Sequence, residues 1–244
     1  MYLLIDAGNS RVKWALIENE FNENIEVLYG SLDDLAEALR SINAASTKIL
    51  LSAVHQVDDL MVLLRDQHFS QVTAVKSKSA QAGVTNSYKQ PERLGVDRWL
   101  AMLASYKILG ILEDVKGIVV IDAGTALTID VLNRDGVHQG GYIVPGMAMA
   151  QTALFANTEQ VRRYDEVVSL SGDGRLNKLG NNTLQCVEYG VINQQVALIE
   201  KVMNQYSEYD VILTGGDCGL LAGFFTTAKV DKNLVLKGLW QVRN

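Results

Sequence analysis

The chain has 244 residues, a formal net charge of −6 at pH 7 and two cysteines. This length is sufficient for two domains of ordinary size, and 48% hydrophobic with 20% charged residues is typical of a folded protein. The negative charge argues against nucleic acid as the main partner, because a surface that binds nucleic acid has to neutralise phosphates with positive charge. Cys186 and Cys218 are too few for a disulfide framework, so we expect two ordinary buried thiols.

The first residues, Met1 to Asp6, lead directly into a strand pattern. They contain no basic segment followed by an apolar stretch, so we expect no signal peptide. No apolar run in the sequence approaches the roughly 20 residues needed to cross a bilayer. The sequence therefore predicts a cytoplasmic protein that does not contact membranes.

Short apolar runs predict the strands of a sheet. The first strand, from Leu3 to Asp6, is followed by a tight turn and a second strand from Val12 to Ile17, which together predict a hairpin. Later strand patterns are Lys48 to Val54, Val72 to Val75, Leu127 to Leu132 and Asp210 to Leu213.

Three segments have the spacing of helices that bury one face. The first begins at a cap formed by Ser31 and Asp34, and its apolar face contains Leu35, Leu39 and Ile42. The second opens near Gly95, with apolar positions at Val96, Trp99, Leu100 and Leu103. The third has apolar positions at Ile192, Val196, Ile199, Met203 and Tyr206. Strands that alternate with helices predict an α/β fold with mixed sheets flanked by helices.

One pattern occurs twice. Leu3 to Ser10 and Val119 to Ala126 both read as a buried strand, an Asp-Ala-Gly turn and a small polar residue. The second Asp, at 122, follows the first, at 6, by 116 residues. The repeat predicts two similar domains, and we place them at residues 1–114 and 115–244.

Asp6 and Asp122 stand at the ends of these apolar strands, where a carboxylate costs desolvation free energy unless it has a cation or hydrogen-bond donors. One interpretation is that each Asp only caps its turn. The occurrence of the same carboxylate in two matching halves favours a functional role instead. Two carboxylates across a cleft suit Mg²⁺, which binds few carboxylates together with waters and substrate phosphates.

Several turns contain small residues whose backbone N–H groups can approach phosphate oxygens. They are Gly8-Asn9-Ser10, Gly124-Thr125 and the Gly215-Gly216 pair in the run Leu213-Thr214-Gly215-Gly216-Asp217, which reads as a strand ending in a Gly-Gly turn. Lys13 can reach a phosphate as a point charge, although a solvated strand lysine is an equally good interpretation. The Gly-Gly turn by itself is equally consistent with an ordinary connection from a strand to a helix.

Taken together, these residues resemble the superfamily of actin, hexokinase and the heat-shock ATPases, in which duplicated ribonuclease H-like domains bind ATP in a cleft between them. Within it the chain is similar to the type III pantothenate kinases. The motifs that carry this resemblance are Asp6-x-Gly8-Asn9-Ser10-x-x-Lys13, Gly95-Val96-Asp97-Arg98, Asp122-Ala123-Gly124-Thr125-Ala126 and Gly140-Gly141-x-Ile143-x-Pro145-Gly146. Ser10 stands where most of the family has Thr, and it keeps the hydroxyl.

The resemblance implies a set of site residues. The implied ATP-binding residues are Asp6, Ala7, Gly8, Asn9, Ser10, Arg11, Val12, Lys13, Thr125, Gly215 and Gly216. The implied pantothenate-binding residues are Tyr88, Gly95, Val96, Asp97, Arg98 and Thr183. Asp97 matches the general base of the family. Without the resemblance, the neighbouring Asp97 and Arg98 are equally well interpreted as a surface ion pair.

The resemblance also implies cofactors and an assembly. The family uses ATP, Mg²⁺ and a monovalent cation, K⁺ or ammonium; Asp122 matches the monovalent site, and Asp6 is our candidate for Mg²⁺. A homodimer is implied too, and the apolar helix from Ile192 to Tyr206 can face either a second subunit or its own core. Two alternatives remain, namely a catalytically silent regulatory protein with the actin-like fold and a kinase for another small hydroxylated metabolite.

Two further groups of residues are interpreted as structural. The segment from Gly140 to Gly146, which precedes Met147, is expected to support the pocket from beside it. His55, His68 and His138 have no matching partners for a triad or a metal site, so we expect them to be bystanders.

Overall fold

A computed structural model describes residues 1–8, 11–18, 20–22, 25–53, 57–110, 112, 114–157 and 178–243. The chain separates into two compact units. Unit 1 contains Met1–Ile111, Asp135–His138 and Asn233–Asn244, and unit 2 contains Leu112–Arg134 and Gln139–Lys232. The last helix thus belongs with the first half of the chain. The division into segments 1–114 and 115–244 stays a prediction.

Unit 1 is built on a five-stranded sheet with the order β3-β2-β1-β4-β5. Its strands are β1 (Tyr2–Ala7), β2 (Val12–Ile17), β3 (Leu28–Gly30), β4 (Lys48–Ala53) and β5 (Val72–Ala74), and a separate small pair is β6 (Ala80–Gln81) with β7 (Val84–Thr85). Its helices are α1 (Leu32–Leu39), α2 (Val57–Asp66), α3 (Val96–Ile108) and α7 (Leu234–Gln241). Leucine, isoleucine and valine side chains from the sheet, α1 and α2 form one buried core.

Unit 2 is built on a second five-stranded sheet with the order β10-β9-β8-β11-β12. Its strands are β8 (Gly117–Ala123), β9 (Ala126–Asn133), β10 (His138–Pro145), β11 (Asp210–Thr214) and β12 (Lys229–Val230). Its helices are α4 (Met147–Asn157), α5 (Thr183–Gln205) and α6 (Cys218–Ala222). His138, the first residue of β10, is grouped with unit 1.

The two sheets share one topology, which confirms the predicted duplication of an α/β unit. In each, the strand that ends in the Asp-Ala-Gly turn pairs antiparallel with the next strand and parallel with a later one. Asp6 pairs in register with Ser52 of β4, and Asp122 pairs in the same way with Thr214 of β11. Each half therefore places a carboxylate beside a hydroxyl residue at the end of two neighbouring parallel strands.

The predicted helix cap at Ser31 is confirmed. The Ser31 hydroxyl accepts from the Asp34 N–H at 3.2 Å, and the Asp34 carboxylate accepts from the Ser31 N–H at 2.7 Å. The helix ends at Leu39, so Ile42 lies beyond it. The N–H of Ile42 bonds to the carbonyl of Leu39 at 3.0 Å in a tighter turn, and its side chain still packs on the core of unit 1.

Close packing explains why α7 belongs to unit 1. Gly238 of α7 lies so near the backbone of Leu100 in α3 that an added Cβ would collide with the Leu100 carbonyl oxygen. Tyr2 of β1 also contacts Trp240 edge-on, with ring centroids 5.6 Å apart. A helix that can approach this closely buries its apolar residues against the first sheet and α3.

The prediction about the cysteines is only half correct. Cys218 is buried, but Cys186 is exposed on the first turns of α5, because the side of that helix that faces the core carries Val191, Ile192 and Val196 instead. Within the residues that the structure describes, no helix is long and apolar enough to cross a membrane.

Candidate active site

A row of polar side chains crosses the sheet of unit 1 where β1 ends. Asp6 is in register with Ser52 on one side and with Lys13 on the other, and Lys13 is in register with Tyr29. Opposite residues in neighbouring strands point to the same face of a sheet. The sequence therefore builds one anionic group, one cation and one aromatic ring into a single row.

The Asp6 carboxylate is in an unfavourable environment for a negative charge. Burial raises the pKa of Asp6 to about 6; the nearby Lys13 lowers the pKa, Asp97 raises it and the Ser52 hydroxyl lowers it. Desolvation outweighs the single cation that the protein supplies. A bound cation would stabilise the ionised form, so the site has the character of a cation-binding carboxylate.

Asp97 is held at the start of α3. Its Oδ1 accepts from the N–H of Arg98 at 2.8 Å, and a Cβ added to the N-cap residue, Gly95, would lie 2.7 Å from that oxygen. Asp97 also acts on Asp6 electrostatically. Gly95 is thus required for the observed carboxylate position. The structure brings Asp97 and Asp6, which are 91 residues apart (97 − 6), into one cluster.

Arg98 is buried and lies against Tyr88. It is 5% exposed, its Nη1 donates to the Tyr88 hydroxyl oxygen at 3.0 Å, and its guanidinium carbon is 5.8 Å from the Tyr88 ring centroid. The backbone of Tyr88 is fixed in turn, because its N–H donates to Asn86 Oδ1 at 2.9 Å. The interpretation of Asp97 and Arg98 as a surface ion pair does not fit a buried arginine that bonds to a tyrosine.

Lys13 and a second cation, Arg11, lie over one aromatic ring near the first turn. The Arg11 guanidinium carbon is 5.2 Å from the Tyr29 ring centroid, and the Lys13 Nζ is 5.9 Å from it. The Tyr29 hydroxyl donates to Asn233 Oδ1 at 3.2 Å. Two positive side chains thus contact the same ring. They lie beside a turn in which the Gly8 N–H bonds to the Arg11 carbonyl. Positive charge is therefore concentrated where a phosphate-binding turn is predicted.

The second Asp-Ala-Gly turn is enclosed by glycine backbone in unit 2. Gly215 has φ +92°, and a Cβ there would collide with the Ala123 carbonyl and with the Asp122 carboxylate. Gly146 donates its N–H to the Thr125 carbonyl at 2.9 Å, and a Cβ there would collide with the Gly124 carbonyl. The Asp217 N–H donates to the Ala123 carbonyl at 2.9 Å. Gly146 thus supports the Asp122 turn, in keeping with the structural role predicted for its segment.

The remaining predicted residues fall in different places. Ala7 and Val12 are buried in the hairpin, Val96 opens α3, and Gly216 is exposed after Gly215. Thr183 is the first residue of α5, whose N-cap Asn182 accepts from the Gln185 N–H at 3.0 Å. Asn9, Ser10 and His55 lie outside the described residues.

Comparison with known proteins identifies the family. The family model described as type III pantothenate kinase matches residues 2–205. The chain belongs to this family. A type III pantothenate kinase of Azotobacter vinelandii is 32% identical over 252 residues, with 98% of this chain and 97% of that protein covered.

Solved structures agree with this fold. A Campylobacter jejuni protein described as a Baf family transcriptional activator matches with a TM-score of 0.65 and 25% identity, over 98% of this chain and 95% of that one. A 2-dehydro-3-deoxygalactonokinase from Sinorhizobium meliloti matches with a TM-score of 0.59 and 14% identity, over 98% and 95% of the two chains. The chain therefore has the fold of the actin-like kinases, as predicted.

Three residues near the candidate site did not emerge from the sequence as candidates. Ser52 faces Asp6, Tyr29 lies beneath Arg11 and Lys13, and His138 stacks on Tyr88. For Ser52 the sequence offers one signal, a polar residue near the end of an otherwise apolar strand. Tyr29 and His138 meet their partners only through strand register and tertiary packing, which the sequence does not display.

Proposed function

We propose that the protein transfers the γ-phosphoryl group of ATP to the primary hydroxyl of pantothenate and so forms 4′-phosphopantothenate, the first step of coenzyme A synthesis. As a kinase of this family it uses ATP together with a divalent metal. The observation that carries the proposal is the cluster of Asp97, Gly95 and Arg98 beside the Asp6 carboxylate in unit 1.

Asp97 is the proposed general base. Its carboxylate accepts the hydroxyl proton as the pantothenate oxygen attacks the γ-phosphorus, and the remaining catalysis rests on alignment and on neutralisation of charge. The bond from the Arg98 N–H to Oδ1 fixes the carboxylate, while another of its lone pairs accepts the proton. Arg98 and Tyr88 bind the amide or carboxylate end of the substrate. The consecutive residues Asp97 and Arg98 thus contact different parts of the pantothenate molecule.

The proposed phosphate-binding residues are those of the first turn, including Arg11, Lys13 and the pair Asn9 and Ser10 outside the described residues, together with Thr125, Gly215 and Gly216. Mg²⁺ is the proposed divalent metal and Asp6 its carboxylate, since Mg²⁺ binds one or two carboxylates and completes its shell with water and phosphate. Among the described residues no group of three or more His, Cys, Asp or Glu side chains is arranged to hold a metal alone. K⁺ or ammonium is the proposed monovalent cation, with Asp122 as its carboxylate.

A cytoplasmic homodimer completes the proposal. The apolar residues of α5 pack into the core of unit 2, so they are not available to a partner subunit. Unit 2 instead exposes apolar side chains on β10 and α4, with Tyr142 47%, Ile143 60%, Met149 44% and Leu154 44% exposed. Apolar surface of this kind is typical of interfaces, and we propose that a second copy of the chain covers it.

The decisive experiment incubates the purified protein with ATP, Mg²⁺, K⁺ and pantothenate and detects phosphopantothenate by mass spectrometry. ADP formation without pantothenate serves as the control for uncoupled hydrolysis. ATP-dependent product supports the proposal. Product formed only from another hydroxylated metabolite would identify a different kinase, and ATP binding without any product would favour a regulatory role of the kind that the name of the Campylobacter jejuni protein describes.

A further inference from the structure

His138 is a buried histidine that packs on the candidate substrate site. Its side chain is 1% exposed, and its ring lies nearly parallel to that of Tyr88, with centroids 6.1 Å apart and an interplanar angle of 20°. This is the offset arrangement that aromatic rings prefer. The Nδ1 of His138 is also 3.1 Å from the Ser87 hydroxyl oxygen. A bystander role does not account for two directed contacts with neighbouring residues of one loop.

The backbone holds the histidine in this position. The Thr85 N–H donates to the Gly136 carbonyl at 2.9 Å, and Thr85 forms a parallel bridge with Val137. Gly136 has φ +74°, and a Cβ there would collide with the Gly83 carbonyl. The segment Asp135–His138 is therefore docked closely on the loop that carries Tyr88.

Tyr88 in turn contacts Arg98, the arginine that we propose binds the substrate. Its oxygen accepts from Arg98 Nη1 at 3.0 Å, so its own hydrogen points elsewhere and can donate to a ligand. The stacking contact with His138 fixes the plane of the Tyr88 ring and hence the position of its hydroxyl. A tilt of the Tyr88 ring would move both the hydroxyl and the guanidinium that bonds to it.

We propose that His138 is a positioning residue that sets the plane of the Tyr88 ring and thereby the Tyr88–Arg98 pair that binds the substrate end distant from the reacting hydroxyl. This inference rests on the proposed pantothenate kinase function. The stacked ring is the essential feature, and the bond to Ser87 fixes its orientation. Loss of the ring should weaken pantothenate binding and leave both ATP binding and the phosphoryl transfer step nearly unchanged.

The test compares His138→Asn, which keeps a polar group but removes the ring, with His138→Phe, which keeps a flat ring. For His138→Asn we expect the KM for pantothenate to rise about tenfold, with kcat and the KM for ATP within about twofold of wild type. His138→Phe should restore the KM for pantothenate to within about threefold of wild type. His68→Asn, at an exposed histidine, is the matched control and should change none of these values.

Three outcomes would overturn the inference. They are an unchanged KM for pantothenate in folded His138→Asn, an equal rise in the KM for both substrates, and a failure of His138→Phe to recover binding. If His138→Asn does not fold, Ser87→Ala decides, since it removes only the hydroxyl that bonds to Nδ1; a KM for pantothenate raised about threefold supports the inference and an unchanged KM ends it. Wild-type activity is measured in parallel, so an inactive wild-type protein identifies a failure of the proposed function instead.

Discussion

Asp97 and Asp6 repel each other electrostatically, and this repulsion adds to burial in raising the pKa of Asp6 to about 6. The two carboxylates reach one site from different elements, the start of α3 and the end of β1. Lys13 compensates only part of their charge. In the free protein the site is therefore electrostatically unfavourable for an ionised Asp6, and a cation bound there would stabilise the ionised carboxylate.

Replacement of Asp6 by Asn should stabilise the free protein at high pH and reduce activity. Because the folded-state pKa is raised above 3.8, the contribution of Asp6 to stability is fully present below pH 3.8 and is lost as the pH rises through about 6. At about pH 8 we expect the free energy of unfolding of Asp6→Asn to exceed that of wild type by up to about 3 kcal/mol. At about pH 4 we expect the difference to be less than about 1 kcal/mol.

Thermal melts of Asp6→Asn across this pH range, with the exposed Asp114→Asn as control, measure that difference. The same variant should lose most of its kinase activity, since Asn provides no charge for the metal. Equal melting behaviour of Asp6→Asn and wild type at both pH values would show that the carboxylate is not destabilised by its surroundings.

Replacement of Asp97 by Asn should separate catalysis from binding. The amide oxygen can still accept the Arg98 N–H, so the start of α3 is preserved, while the group that takes the hydroxyl proton is lost. We expect kcat to fall by roughly 10² to 10⁴ with little change in the KM for ATP. Turnover and melting temperature are measured on the same preparation. A folded variant with nearly native kcat would end the assignment of Asp97 as general base.

Replacement of Gly95 by Ala should displace the Asp97 carboxylate. Gly95 has φ −52°, which alanine adopts easily, so the main effect is the added Cβ only 2.7 Å from Asp97 Oδ1. We expect kcat to fall by about tenfold or more while the free energy of unfolding changes by no more than about 1 kcal/mol. Gly190→Ala in α5 is the matched control, because no atom lies within 4 Å of its added Cβ. Equal kcat in the two variants would contradict the prediction.

Activation by K⁺ should depend on Asp122. Replacement of Asp122 by Asn removes the carboxylate proposed for the monovalent cation, while the strand pairing of β8 with β9 and β11 involves only the backbone. We expect wild type to be faster in K⁺ than in Na⁺ buffer and Asp122→Asn to respond much less, with a similar melting temperature. Initial rates in the two buffers test this. Identical wild-type rates in Na⁺ and K⁺ would remove the monovalent cation from the proposal.

The exposed apolar residues of β10 and α4 should mediate dimerisation. Light scattering at micromolar concentration should give twice the chain mass of 26.8 kDa. Ile143→Lys places a charge on a side chain that is 60% exposed and should shift the mass towards the monomer, because a charge in an apolar interface is costly. Val62→Lys, at an apolar side chain of α2 that is 51% exposed, is the control. A monomeric wild-type mass would contradict the homodimer.

The sequence by itself determined the α/β class, the duplicated units and the motifs from which the candidate site residues were predicted. Apolar strands that end in Asp-Ala-Gly, the Ser31 cap and the glycine turns are local patterns, and local patterns fix strands, turns and helix starts because they act through neighbouring residues. The duplicated topology followed from one motif found twice. The family motifs then supplied the roles that we propose for Asp97, Arg98 and Thr125.

Tertiary structure alone decided the contacts between distant segments. Helix α7 returns to unit 1 because Gly238 permits close contact with Leu100, a match of shapes that no periodicity reveals. The pKa of Asp6 is raised mainly by burial and further by Asp97, and the stack of His138 on Tyr88 joins residues 50 positions apart (138 − 88). Burial, charge proximity and ring stacking depend on the distances between folded elements, and a linear sequence does not contain those distances.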